Sequence, residues 1–514
     1  MKPSDLGLPE KFAEWRPHQL EVAAKINASR KYAFLLDSPT GTGKSIIAAA
    51  VQRISGKKMR YLTTTKQLQD QLLKDFPYAA TLKGRSNYIC LRYPRMFPVV
   101  SAEHCTHKAP KECPHVDRCY YLKAKEAALA APLAVLNASY FLHEANYVGT
   151  FSNSELLMID EFDTMEDQLM SFVEVNVTRK QLDKIGLPPP KYKTKFESWV
   201  EWALPAVRGL EKEIKDIKFE QEQAWGLDDF SLIKKLRTLE RLHSKLSFFV
   251  KEVDSSWVWY PGDDRWVFKP VWIAKYSNGT LWKHAKKVIG MSATILDPVQ
   301  VAYNTGLFQR TEGLFDRIAL PSPFPKENRP IYYEPCANVV SKLMNVALPK
   351  LNAAVTRIME KHPNDKILLH TVSYRVRNYL LDHLPKGRLI THATTDRDTV
   401  LTRFKSSNKP LVLLSPSMDR GVDLPKEECR VVIIAKCPYA DISDPQTSRR
   451  VYGSKDGNKW YSHKTISTIV QMAGRGVRSS DDHASTYILD EQFGRLVTEH
   501  RSMFPAWFLE AIVS

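Results

Sequence analysis

The chain has 514 residues, 43% hydrophobic and 25% charged, which is ordinary for a globular protein and long enough for about three to four cores. Lys and Arg number 74 against 57 Asp and Glu, a net charge of +17 that favours a polyanionic partner, nucleic acid first. No apolar run approaches the ~20 residues of a membrane span and Met1-Lys2-Pro3-Ser4-Asp5 is no signal peptide, so membrane and secreted classes are set aside. The seven cysteines are then expected as thiols or metal ligands in a reducing cytoplasm.

Near the start, Trp15-Arg16-Pro17-His18-Gln19-Leu20 precedes a helical pattern on Val22, Ala23 and Ile26. The amide of Gln19 both donates and accepts, so it can read an adenine edge; a solvated surface glutamine is the plain alternative. The stretch that follows organises the chain. An apolar run at 32–36 reads as a buried strand, then Asp37-Ser38-Pro39-Thr40-Gly41-Thr42-Gly43-Lys44-Ser45 turns into a helix through Ile46-Ile47-Ala48-Ala49-Ala50. Gly41 and Gly43 let backbone N–H groups face a phosphate at a helix N-terminus. Lys44 can reach the β- and γ-phosphates, and the Ser45 hydroxyl can bind Mg²⁺. Ser38 stands where this loop usually opens with glycine. The strand–turn–helix context predicts an ATP site.

A second strand reads from Met59-Arg60-Tyr61-Leu62 into Thr63-Thr64-Thr65. These threonines could donate to a phosphate backbone or simply cap the next helix. From 83 the texture changes. Cys90, Cys105, Cys113 and Cys119 lie among many basic residues, with His107 and His115 as substitute ligands. Four clustered thiols point to one metal site, and their spacing suits either zinc or an iron–sulfur cluster. Leu156-Leu157-Met158-Ile159 then ends in Asp160-Glu161-Phe162-Asp163. There Asp160 would hold Mg²⁺ and Glu161 would orient and deprotonate the attacking water.

Residues 165–253 read as charged helices, and Trp257-Val258-Trp259-Tyr260 and Arg265-Trp266-Val267-Phe268 as a β-hairpin around Pro261-Gly262-Asp263-Asp264. Its aromatics are expected to pack a core rather than stack bases. A strand at 288–291 ends in Ser292-Ala293-Thr294, small polar groups suited to sensing a γ-phosphate. Beyond 321 a fresh series of strands (366–371, 411–414, 431–434, 486–489) alternates with helices and has no phosphate loop of its own, which predicts a second parallel sheet. There Gln471-Met472-Ala473-Gly474-Arg475-Gly476-Val477-Arg478 sets two arginines on one helical face, placed as arginine fingers toward a γ-phosphate.

Taken in order, these blocks resemble a superfamily 2 helicase, and within it the XPD/DinG group of iron–sulfur DNA helicases. The resemblance rests also on Gly84-Arg85-Ser86-Asn87-Tyr88 before Cys90, His370-Thr371-Val372-Ser373-Tyr374, and Asp419-Arg420-Gly421-Val422-Asp423. It implies an α/β fold of two RecA-like parallel-sheet domains with ATP between them. Expected segments are 1–82, 131–164 and 254–320 for the first domain and 321–514 for the second, with a cluster insert at 83–130 and a helical arch-like insert at 165–253. It implies Arg16, Gln19, Ser38, Thr40, Gly41, Thr42, Gly43, Lys44, Ser45 and Asp423 around the nucleotide. Lys44, Asp160, Glu161, Gln471, Arg475 and Arg478 would carry hydrolysis, and Ser45 and Asp160 the magnesium. It turns the open metal question toward a [4Fe–4S] cluster on Cys90, Cys105, Cys113 and Cys119. The expected activity is 5′ to 3′ movement of a monomer on single-stranded DNA at single-strand/duplex junctions, with RNA–DNA hybrids as a further substrate class. A translocase that unwinds poorly and a redox-sensing DNA-binding module are the rival readings. Two departures stand out: Asp163 replaces the group's usual histidine, and Phe162 a small residue.

Overall fold

The computed structural model describes residues 1–93, 100–105, 113–223, 230–418, 424–474, 476–477 and 482–513. Asp423 with its 419–423 block, Arg475, Arg478 and His107 lie outside the described residues. The first strands are β1 (Ala33–Asp37), β2 (Met59–Thr63), β3 (Ala79–Leu82), β4 (Leu133–Asn137) and β5 (Leu156–Asp160). An excursion follows with β6 (Val175–Thr178), β7 (Trp257–Tyr260) and β8 (Arg265–Pro270), and the chain returns through β9 (Val288–Ser292) and β10 (Asp316–Ala319). The second half adds β11 (Ile331–Ala337), β12 (Ile367–His370), β13 (Leu389–Thr391), β14 (Val412–Ser415), β15 (Val431–Ile434), β16 (Ser485–Asp490) and β17 (Ile512–Val513).

Two seven-stranded sheets result, in the orders β10-β1-β9-β5-β2-β4-β3 and β13-β14-β12-β15-β16-β11-β17. Every pairing in both is parallel. Such strands are buried on both faces, so they read as continuous apolar runs rather than alternating ones. In β1, Leu35 faces one hydrophobic cluster, while Phe34 and Leu36 face another built on Val22, Ile26 and Ile47. The second sheet is covered likewise, with Leu369 on one side and Leu368 on the other. This is the expected architecture of two RecA-like units. Reading from sequence alone passes over β3, β4, β10, β11, β13 and β17, which are short, at sheet margins or weakly patterned.

The excursion is more than helical. Helices Phe196–Gln223 and Phe230–Glu252 run antiparallel, joined by Lys235–Glu213 (2.7 Å) and Lys218–Glu240 (2.8 Å) pairs. They sit on an antiparallel sheet of order β6-β8-β7, so the hairpin 257–270 pairs with β6 and with neither large sheet. Its aromatics are core: Trp266 is fully buried, with its ring 4.8 Å from Trp199, and Phe268 lies 4.9 Å from Phe249. Among the described residues no helix is long and apolar enough to cross a membrane.

Candidate active site

The C-terminal ends of β1, β5 and β9 converge, and the chain leaves each through a strained or glycine-bearing turn. After β1, Gly41 (φ 87°) and Gly43 (φ 78°) take left-handed conformations, and a Cβ on Gly41 would overlap the Phe324 ring. Gly43 precedes helix Lys44–Ser55. Lys44 Nζ donates to Ser38 O (3.1 Å), Thr42 Oγ1 donates to Pro39 O (2.7 Å), and the Ser38 and Thr42 hydroxyls share a hydrogen bond. Ser38, which stands in a glycine position, is thus buried and spent on closing the loop.

After β5, Glu161 is itself left-handed (φ 50°), a rare conformation for a non-glycine residue and a common one at functional sites. Its backbone N–H donates to Asp160 Oδ1 (3.0 Å), Tyr61 OH donates to Asp160 Oδ2 (3.0 Å), and Thr64 Oγ1 donates to Glu161 Oε2 (2.8 Å). Burial raises the Asp160 pKa, Lys44 opposes the rise, and Glu161 adds to it. Burial also pushes Asp37, at the end of β1, up to about 7 while Leu296 N–H donates to its Oδ2 (3.2 Å). The threonines just after β2 serve the protein itself: Thr64 holds Glu161, and Thr65 caps helix Lys66–Asp75 by accepting from Leu68 N. Tyr61 lies mid-strand, and no signal in the sequence marks it.

Both departures in the Asp160–Asp163 box have a structural account. Phe162 is fully buried against Gly290 of β9, where any Cβ would collide with its ring. Asp163 accepts from both hydroxyls of the Ser292-Ala293-Thr294 segment, Ser292 Oγ at 2.5 Å and Thr294 Oγ1 at 3.0 Å. Thr294 Oγ1 in turn accepts from Gln471 Nε2 (2.7 Å), contributed by helix Gly457–Ala473 of the second unit. A carboxylate offers two oxygens for two hydroxyls, which an imidazole cannot match.

One cavity of about 500 Å³ lies between the two sheets, with Tyr61, Ser292 and Thr294 in its wall. Arg16, Thr40, Gly41, Gly43, Lys44, Ser45, Asp160 and Glu161 line it from the first unit, and Gln471, Gly474, Lys405 and Trp507 from the second. Gln19 lies beneath the loop, 2% exposed: its amide oxygen accepts from Arg16 N (2.9 Å) and its nitrogen donates to Thr42 O (2.7 Å). The structure thus gives Gln19 a loop-bracing role. Arg16 donates to Gly41 O from the cavity wall.

The family description "Helicase C-terminal domain" matches residues 355–511, and "Type III restriction enzyme, res subunit" matches 12–95. The curated ATP-dependent DNA helicase YoaA of Haemophilus influenzae is 22% identical, over 93% of this chain and 91% of its own length. A solved XPD helicase aligns with TM-score 0.65 at 15% identity, covering 95% of this chain and 98% of that one. Together these matches support an XPD/DinG-like helicase of superfamily 2. S. tokodaii Xpd4 shares the fold at TM-score 0.60 and 16% identity, with 97% and 99% coverage.

In this XPD/DinG-like chain a second set of contacts joins the units away from the cavity. Arg450 pairs with Glu166 (2.6 Å), both almost wholly buried, and its guanidinium lies 4.7 and 4.6 Å from the Trp272 and Trp460 rings. Trp460 Nε1 donates to Glu166 Oε2 (3.2 Å). Gln446 Nε2 donates to Pro270 O (2.7 Å) and Arg449 to Trp257 O (3.0 Å), so helix Pro445–Gly453 holds the hairpin by its carbonyls. Along helix Gly457–Ala473, Lys459 pairs with Asp297 (2.7 Å), His463 Nε2 bonds Ile295 O (2.9 Å) and Lys464 pairs with Asp167 (2.8 Å).

Cys90, Cys105, Cys113 and Cys119 are half-buried and outside any disulfide, between β3 and β4. Cys90 N donates to Val100 O (2.9 Å), and the insert grips the lobe through Arg237 to Cys105 O (2.7 Å) and Arg241 to Glu103 (2.9 Å). Four thiols are the right donors for an iron–sulfur cluster. Among the described residues, no group of three or more Cys, His, Asp or Glu side chains is placed to hold a metal ion.

Proposed function

We propose that the chain is an ATP-dependent DNA helicase that moves 5′ to 3′ on single-stranded DNA and opens duplex at a single-strand/duplex junction. The observation that carries this reading is the shared cavity. Lys44, Asp160 and Glu161 enter it from one sheet and Gln471 from the other, so hydrolysis and relative movement of the sheets act on the same few atoms. On this reading Lys44 reaches the β- and γ-phosphates, and Glu161 orients the attacking water and takes its proton. Ser45 and Asp160 hold Mg²⁺, which supplies charge neutralisation on the phosphate oxygens. Arg16, Gln19, Ser38, Thr40, Gly41, Thr42 and Gly43 shape the rest of the nucleotide pocket, while Asp423, Arg475 and Arg478 complete it from the second unit. The Asp163–Thr294–Gln471 chain supports coupling, because it links the end of β5 to the second unit through side-chain bonds alone.

The reading extends to a [4Fe–4S] cluster on Cys90, Cys105, Cys113 and Cys119, supported by four disulfide-free thiols in one lobe. Iron and acid-labile sulfide of about four each per chain, in protein purified without oxygen, is the expected result. The protein would work as a cytoplasmic monomer, with RNA–DNA hybrids as a second substrate class. Strand separation on duplexes bearing a 5′ or a 3′ single-stranded tail tests the function. Opening from the 5′ tail alone is expected. Opening from the 3′ tail alone overturns the polarity, and DNA-stimulated hydrolysis without opening from either leaves a translocase.

A further inference from the structure

The helical insert carries a charged loop that none of the nucleotide chemistry uses, Pro188-Pro189-Pro190-Lys191-Tyr192-Lys193-Thr194-Lys195. Residues 191–195 are all exposed, and no acidic residue occurs between Asp183 and Glu197. Among the described residues no carboxylate pairs with Lys191, Lys193 or Lys195. A lysine run on a loose loop would serve solubility and nothing more. This loop is not loose. Trp202 Nε1 donates to Pro188 O (2.8 Å) and Trp199 Nε1 donates to Lys193 O (3.0 Å), so two indoles of one helix pin the loop at both ends. Trp199 is itself locked in the insert core, 1% exposed. Three consecutive prolines fix the approach, and Lys195 N donates to Tyr192 O (3.1 Å) to close a turn.

The turn gathers charge. Lys191 and Lys195 place their ammonium groups 5.4 and 5.1 Å from the centroid of the same ring, Tyr192, which is 53% exposed. Like charges held this close repel, and the ring offsets the cost only in part. A bound polyanion would remove it, and because the loop is already ordered, binding would lose little backbone entropy. The three cations suit phosphates, and an exposed tyrosine beside them offers a face on which a base can stack.

We infer that this loop is a second nucleic-acid contact, outside the two RecA-like units, that holds the backbone of single-stranded DNA through Lys191, Lys193 and Lys195 and a base through Tyr192. The inference rests on the helicase reading. The test compares full-length protein with a Lys191→Ala/Lys193→Ala/Lys195→Ala variant, and separately with Tyr192→Ala, binding a long oligothymidylate over a salt series. Loss of three phosphate contacts should lower the slope of log affinity against log salt by about 2. Tyr192→Ala should weaken binding about fivefold or more without altering that slope. Hydrolysis in the absence of DNA should be unchanged in both, because no residue of the loop lines the nucleotide cavity. An unchanged slope and affinity in protein whose hydrolysis DNA still stimulates overturns the site alone, leaving the lysines to solvent or to an acidic protein. Wild-type protein that neither binds the oligonucleotide nor responds to it sinks the helicase reading, and this site with it.

Discussion

Among the described residues the two RecA-like units meet at the nucleotide cavity and at a second contact outside it, and the two are built differently. At the nucleotide cavity they face each other across open space, with Gln471 to Thr294 as a direct side-chain bond. At the other contact, helices Pro445–Gly453 and Gly457–Ala473 meet the hairpin and the segment after β9 through one buried ion pair, indoles and captured carbonyls. The first contact has room for a ligand to change the separation of its walls. The second is already closed and desolvated, so relative motion is expected to pivot there. The hairpin, though it lies in the chain between two parts of the first unit, is held by the second.

The largest expected effect lies in the open cavity. Lys44→Ala should reduce ATP hydrolysis to background while DNA binding persists, and turnover measured in steady state checks it; retained turnover would dissolve the distinction between the two contacts. At the closed contact, Arg450→Ala strands the Glu166 carboxylate in a buried setting and should cost about 3–5 kcal/mol in denaturant unfolding. A cost below about 1 kcal/mol would mean that the contact is solvated and mobile.

Asp163→Asn sharpens the link between the two regions. It keeps an acceptor but removes the charge from the bonds to Ser292 and Thr294, and kcat should fall about 10–100-fold with ATP binding little changed. The smallest effect is a pH response of the closed contact. Burial lowers the His463 pKa below the ordinary histidine value, so the unfolded chain binds this proton more readily than the folded one. Its contribution to stability is held above the ordinary value of about 6.5 and lost as pH falls below it. The melting temperature should therefore drop between about pH 7.5 and 5.5, and less so in His463→Gln.

What could be read from the chain was what chemistry forces to be local. A phosphate loop needs a strand, a turn with left-handed residues and a helix N-terminus in immediate succession, and 33–45 supplies them in order. The proposed metal and water carboxylates lie where a buried apolar strand stops, Asp160 as its last residue and Glu161 just after it. The same locality made the hairpin legible, but not its partner β6, which pairs with β8 across some ninety residues of intervening helices. Margin strands such as β3 and β13 escape because they are short and only half-buried, which weakens the apolar run.

By itself, then, the sequence determined two parallel-sheet units, a strand–turn–helix loop proposed to hold the nucleotide in the first, a cysteine-bearing lobe and a helical insert. The tertiary structure decided the rest. It sent Gln19 beneath the phosphate loop, found a use for Asp163 and room for Phe162, bolted the hairpin to the second unit and buried Arg450 against Glu166. Each of these depends on partners up to hundreds of residues away, brought together by sheet order and domain packing. A side chain's neighbours on the strand are set by the chain; its neighbours across an interface are set only when both surfaces have folded.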